Sequence, residues 1–358
     1  MSTAGRSMLC LESLESRTLF STSFLSHLTP TPTVIANTSP SNGDLNPYGV
    51  AFVQKNEAGG KLVAGDILVS NFNANTNQEA TGTTIVEIDP KTGNQTLFFQ
   101  GQPGLGLTTA LGILPGGYVL VGNMPTTSQG TPNGSGSLLI IDRWGHVIQT
   151  LTDSKFLDGP WDLTVDNDGF VQHVFVSNVL NGTVSRLDFF DNLFGDGDRD
   201  DLFLFNKVTV ASGYAFRTDP VVFAIGLTGL AFDDRTDTLF VASSGDNAIF
   251  AVKNAEDSAH SHSGTGTMIF SDPHLRGPLG LAFATNGDLL TTNGDAINPD
   301  PTQNSEIVEF TTTGNFVSEF QVDPGAGGAF GLAVETEGNH TIFAAVDDVT
   351  NTLDIWSF

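Results

Sequence analysis

The residues of this chain best suited to chemistry are carboxylates and amides, not thiols. Asp196-Gly197-Asp198-Arg199-Asp200-Asp201 sets four carboxylates within six positions of a glycine-bearing stretch. Oxygen donors in that arrangement suit a hard cation such as calcium. An EF-hand loop beginning at Asp196 would need Gly at its sixth position and Glu at its twelfth, where Asp201 and Lys207 stand. A looser calcium loop and a solvated acidic turn are the two remaining readings. His260-Ser261-His262 alternates two imidazoles, but its Ser-, Gly- and Ala-rich surroundings supply no rigid third ligand. A third set is Asn71, Asn123, Asn178, Asn293 and Asp347, each just past an apolar run. Residues of this kind either hydrogen-bond their own turns or rim a ligand or metal site. Polar stretches follow at 71–82, 123–136 and 293–304, and long loops on a rigid scaffold are where binding concentrates. Finally, Asp158 and Asp162 are the only carboxylates that the first strand of a repeat would bring near a central axis.

Several chemistries are excluded. The sequence has no Gly-rich phosphate loop, no Gly-x-Ser-x-Gly elbow and no His-Glu-x-x-His helix. Its one cysteine, Cys10, rules out an internal disulfide and any cysteine-based metal cluster. Fourteen Lys and Arg face 40 Asp and Glu, a formal charge of −26, and such a surface repels phosphate backbones. Nucleic acid is therefore not an expected partner. No apolar run approaches the ~20 residues of a membrane helix.

What positions these residues is a repeat. Pro47-Tyr48-Gly49-Val50-Ala51-Phe52 returns as Pro160-Trp161-Asp162-Leu163, as Thr228-Gly229-Leu230-Ala231-Phe232, as Pro278-Leu279-Gly280-Leu281-Ala282-Phe283 and as Phe330-Gly331-Leu332-Ala333, with a weaker copy at Leu111-Gly112-Ile113-Leu114. Taking the Gly or Asp as marker, the copies fall at 49, 112, 162, 229, 280 and 331. A period of this size signals a stacked or radial architecture. Each marker opens a short apolar strand, a polar turn such as Asn286-Gly287-Asp288, and then three further alternating runs. Four antiparallel strands joined by such turns make a propeller blade. Six markers predict an all-β, six-bladed propeller, with Gly at the marker letting inner strands approach one another. Only three strands follow the last marker, so Thr33-Val34-Ile35-Ala36 is expected to complete the sixth blade and remove the open edges. The expected organisation is a disordered leader over 1–32 and one propeller over 33–358.

At these residues the chain resembles the NHL-repeat propellers of the TolB-like and gluconolactonase-like superfamily; its best copies run over 226–252 and 277–293. The resemblance spans roughly 33–358 and implies the fold more than a function, since such propellers include lactonases, lyases and many binding proteins. Lactonases of this kind hold a divalent ion with a Glu, an Asn and Asp residues, but Leu45-Asn46-Pro47 offers no Glu in the expected place. Near the N-terminus, Leu11-Glu12-Ser13-Leu14-Glu15-Ser16-Arg17-Thr18-Leu19-Phe20 resembles the Leu-Glu-Pro-Arg type motif of exported bacterial proteins, with Ser13 in place of proline. It implies export.

These readings converge on an exported, monomeric binding scaffold for a protein or glycan ligand, with a metal-dependent lactonase or lyase as the alternative. The expected ligand face carries Asn71, Asn123, Asn178, Asn293, Asp347 and Asp162. The expected calcium loop carries Asp196, Asp198, Asp200 and Asp201.

Overall fold

In the computed structural model, described over residues 22–191, 202–257, 261–295 and 297–358, six four-stranded antiparallel sheets make the six-bladed propeller. The blades span 45–100, 107–151, 160–212, 227–270, 278–321 and 329–357. The sixth is completed by Val34–Asn37, which pairs with Thr352–Ser357 in the register Val34 to Ile355 and Ala36 to Leu353. Ring closure by an N-terminal strand is thus as expected.

Six apolar clusters fill the spaces between neighbouring blades. Phe52 packs between blades 6 and 1, Phe232 between 3 and 4, and Phe283 between 4 and 5. In every blade the pairing of the inner strand with the second strand slips at the marker, as between Pro47 and Val50 or Pro160 and Leu163. Such a bulge turns the inner backbone out of its ladder and toward the next blade. A Cβ on Gly49 would lie 2.6 Å from the Thr109 carbonyl, one on Gly280 2.5 Å from the Phe330 carbonyl, and one on Gly331 1.8 Å from the Tyr48 carbonyl. The marker glycines are therefore required by contact between blades.

Blade 2 departs from the expected register. Leu111 pairs with Val121 as Leu163 pairs with Val176, so Ala110, not Gly112, occupies the marker place. The bulge of blade 2 holds one more residue than the others: Leu107 and Leu111 bracket it where Pro160 and Leu163 bracket that of blade 3. The extra residue hid the alignment.

Residues 22–32 also differ from the expected disordered leader. Phe24, Leu25 and Leu28 are buried in the cluster between blades 5 and 6. The buried Glu309 carboxylate accepts from the backbone N–H of Phe24 at 2.7 Å and of Leu25 at 3.0 Å, and from the Ser23 hydroxyl at 2.6 Å. These donors hold the Glu309 carboxyl below its ordinary range in spite of its burial.

A second unexpected element is a hairpin between blades 3 and 4, Arg217–Asp219 with Phe223–Ile225. It accounts for part of the long marker interval there, and it lies over the face described next.

Candidate functional site

Inner strands begin, and second strands end, on the same face of the disc, called the upper face. Asn123, Asn178, Asn293 and Asp347 end their second strands there, Asn71 lies two residues before the end of its own, and all five are buried. Their side chains are engaged locally. Asn178 Oδ1 accepts from the Asp158 N–H while its amide donates to the Phe156 carbonyl and to Ser185. Asn123 bridges the Gly106 N–H and Ser137, and Asn293 bridges the Arg276 N–H and the His274 carbonyl. Asn71 donates to the Thr38 carbonyl and Thr84, and Asp347 accepts from Val349 N–H and Thr350. Each pins the loop leading into or out of its blade, which is the turn-bonding reading of these residues.

The residue before the asparagine does related work that the sequence reading missed. Ser70 accepts from the Gly49 N–H and donates to the Thr108 carbonyl of the next blade. Ser177 does the same between Asp162 and Thr228, and Thr292 between Gly280 and Phe330. Blades 2 and 4 have Gly122 and Ala242 in that place, and an inner-strand threonine supplies the hydroxyl instead: Thr108 to Pro160 and Thr228 to Pro278.

Asp162 is in the central channel. One oxygen accepts from its neighbour Leu163 N–H at 2.9 Å and the other from Leu230 N–H of blade 4 at 3.1 Å. Burial pushes its carboxyl up to about 7 against these donations. It lines an axial cavity of about 340 Å³ whose other walls are inner-strand residues from the markers downward, none of them ionisable. A single carboxylate does not fit the several-oxygen ligand set that a divalent ion takes, so the axial cavity does not match the metal centre the resemblance implies.

The residues just before the markers form a different environment. Tyr48, Trp161 and Phe330 meet above the channel with Phe72 and Phe223, Tyr48 lying 4.3 Å from Phe330 and 6.0 Å from Trp161 between ring centroids. They border a second cavity, about 200 Å³, between the upper loops. Its remaining lining includes Asn46, Glu79 and Asp348, together with Val222, Ala224 and Ile225 from the inserted hairpin. Burial raises Glu79 to about 7. Asp348 is raised to about 7 by burial and then by the charges of Glu79 and Asp347. The Tyr48 hydroxyl, hydrogen-bonded by the Asn46 side chain, is held well above its ordinary value by burial and by both acids. Asn46 Oδ1 is buried with no hydrogen-bond partner, and Asn46 itself takes a left-handed backbone with φ 59°. A strained residue, an unsatisfied acceptor and two crowded acids are marks of a site shaped by something other than folding.

Glu79 comes from the 71–82 loop singled out in the sequence, and Asp348 adjoins Asp347. The faint signal that could have found the cavity is the column Tyr48, Trp161, Phe330, aromatic where other copies have Leu279 or Thr228.

On the opposite face, Asp166, His173 and Glu256 place one ligand atom each within 4.8 Å of one another. The buried Asp188 carboxylate fixes His173 through Nδ1 at 2.8 Å, leaving Nε2 3.5 Å from Glu256. Arg186 pairs with the same Asp188 at 2.7 Å. Neither this group nor its support was expected. The calcium loop, Asp196, Asp198, Asp200 and Asp201, lies outside the described residues, as does His260; Ser261 and His262 hydrogen-bond the backbone of Thr209.

No helix among the described residues is long and apolar enough to cross a membrane. No protein-family model and no curated protein matches the sequence. Solved structures do. A protein assigned as a gluconolactonase matches with a TM-score of 0.53 at 13% identity, over 91% of this chain and 93% of its own. The allergen Mala s 1 of Malassezia sympodialis matches at 0.52 and 12%, over 90% and 94%. A luciferin-regenerating enzyme matches at 0.50 and 11%, over 90% and 94%. At such identities the likeness is one of fold, and what this chain shares with these proteins is the six-bladed β-propeller.

Proposed function

We propose that this chain is a binding propeller whose recognition site is the upper cavity bordered by Tyr48, Trp161, Phe330, Glu79 and Asp348. The observation that carries the reading is the separation of the chemistry. The axial cavity holds one carboxylate, Asp162, already committed to two backbone donors. The upper cavity holds two acids among aromatic and aliphatic walls. Small, mostly apolar cavities with a few convergent polar groups are the usual form of a ligand site. Protein or glycan ligands remain the partners proposed, and the Leu-Glu motif near the N-terminus supports placing that recognition outside the cell.

The test is a pair of measurements on the full chain. Lactone substrates are assayed with calcium, manganese and zinc, and glycan and peptide panels are screened for binding. Turnover abolished by Asp162→Ala or Asp348→Asn would overturn the binding reading in favour of a metal-dependent hydrolase.

Divalent-ion binding enters the proposal on the opposite face, where the Asp166, His173 and Glu256 donors stand together. An imidazole held through its other ring nitrogen by a carboxylate, here His173 by Asp188, is the usual support of a metal ligand. We place calcium binding at the Asp196–Asp201 loop as a separate proposal. Melting temperatures with calcium, zinc or chelator, in wild type, His173→Gln and Asp198→Asn, test both: an ion-dependent rise should disappear in the matching variant, and equal values throughout would leave neither group an ion site.

A further inference from the structure

The upper cavity carries two acids and an unpaired amide oxygen but no cationic side chain. Among the described residues no hydrogen bond or ion pair reaches the Asp348 carboxylate, and Glu79 is met by the Asn73 side chain alone. Asn46 Oδ1, on a residue 3% exposed, is a third acceptor with no partner. No Lys, Arg or His lines the space. Two acids lining one cavity, with the charge of Glu79 opposing ionisation of Asp348, beside an unsatisfied amide oxygen, are the electrostatic complement of a positive group carrying several N–H donors.

The walls decide which kind of positive group. A hard metal ion wants six or more oxygens at bonding distance, whereas most of this lining is aromatic or aliphatic. Among the described residues the one three-donor group with metal-binding spacing is on the other face. Aromatic faces such as Tyr48, Trp161 and Phe330 attract organic cations and cover their hydrocarbon stems. A neutral sugar would stack on the same rings and meet the Tyr48 hydroxyl and the Trp161 indole N–H, but it would leave both carboxylates without a counter-charge. At about 200 Å³ the cavity is smaller than the ~300–1,000 Å³ of drug-sized sites, so it suits a small molecule or one side chain. The net charge of −26 draws cations toward the molecule.

We propose that the upper cavity binds an organic cation, an ammonium or guanidinium group on a short apolar stem, either as a free small molecule or as an exposed lysine or arginine side chain of another protein. This rests on the reading of the cavity as the recognition site. Calorimetric titration of the full chain tests it with butylammonium, butylguanidinium and neutral n-pentanol, and with an end-blocked lysine peptide and its acetyl-lysine counterpart, alongside the glycan panel. Cations should bind at least tenfold tighter than pentanol. Glu79→Gln and Asp348→Asn should each weaken them at least tenfold, whereas Glu337→Gln, an exposed charge change elsewhere, should leave binding unchanged. Binding of the free amines alone identifies a small-molecule ligand, and preference for the lysine peptide over its acetylated form identifies a side chain. Pentanol or a glycan bound as tightly as the cations, with no effect of Glu79→Gln or Asp348→Asn, overturns the cation proposal and leaves recognition at the cavity standing. Failure of every probe and every panel member to bind overturns both. Near-ultraviolet circular dichroism confirms that the variants are folded.

Discussion

Asp162 stands where the other blades have Gly49, Ala110, Gly229, Gly280 and Gly331, and its carboxylate receives the Leu230 N–H across a gap those smaller residues close by backbone approach. It is an acid kept for structure at the cost of its own ionisation, and Glu79 and Asp348 show the same cost with only the Asn73 side chain on Glu79 to offset it. The consequence is a pH dependence. These acids, ordinarily ionised from near pH 4 to 4.5, hold their protons to about pH 7 in the folded state. The native state therefore binds more protons than the unfolded one in that window, and stability falls as pH rises from about 4.5 to 7. Glu79→Gln and Asp348→Asn should each remove the penalty. Urea unfolding should show them more stable than wild type at pH 8, by up to about 3–4 kcal/mol, and level with it near pH 4. Equal gaps at both pH values would mean the acids are not strained. Ser177→Ala should act in the opposite direction. It strips a partner from the Asp162 N–H and the Thr228 carbonyl, and two buried backbone groups left without one should cost about 1–3 kcal/mol in the same measurement.

At the scale of the element, the marker bulge is the device that joins blade to blade, and the closest approach is at the ring's seam. Blade 6 has Val346 where blades 1, 3 and 5 have a clamping hydroxyl, and there the Gly331 backbone comes nearest the Tyr48 carbonyl. Gly331→Ala would drive a Cβ into backbone that cannot swing aside, so thermal unfolding should show a loss of about 3 kcal/mol; a loss under 1 kcal/mol would mean the seam can open. How much of this was legible follows from the same elements. The markers at 49, 229, 280 and 331 were readable because contact between backbones forces glycine, and that at 162 because Pro160 and Trp161 before it repeat Pro47 and Tyr48. The marker of blade 2 was misplaced because Ala110 satisfies the contact as well as glycine and an extra bulge residue shifts the spacing. The asparagines were readable as a set, but no spacing rule says whether an amide faces solvent or its own loop. Glu79 and Asp348 could not be read at all: they meet across blades 1 and 6, and only ring closure brings them to one cavity.

For the whole molecule, the ring has one non-covalent seam in its sheets, the pairing of Val34–Asn37 with Thr352–Ser357, and residues 22–32 brace it from outside. Trp356 donates its indole N–H to the Thr29 carbonyl at 2.8 Å, and the Phe24 ring lies 5.6 Å from both Phe343 and Phe358. Phe24, Leu25 and Leu28 together bury apolar surface worth about 4.5–9 kcal/mol at ~1.5–3 kcal/mol for a fully buried side chain, an upper value because part of it is buried in the unfolded chain too. Glu309 adds charge-assisted bonds to the same segment, and its carboxyl, held low in the fold, makes that part of the stability present above pH ~4.5 and lost as pH falls through its folded value. Three truncations separate the contributions. Removal of residues 1–21 should leave the melting temperature unchanged, since the brace and the closing strand are intact. Removal of 1–32 should lower it clearly, with unfolding still cooperative and with the loss reproduced in part by Glu309→Gln. Removal of 1–37 leaves blade 6 with three strands and bares the edge at Leu353 and Ile355, an invitation to pairing with other chains, so size-exclusion chromatography should find larger species than the full chain forms. If the 1–37 truncation instead ran as a monomer with the melting temperature of the 1–32 form, the closing strand would be dispensable and the ring would be held by its inter-blade cores alone.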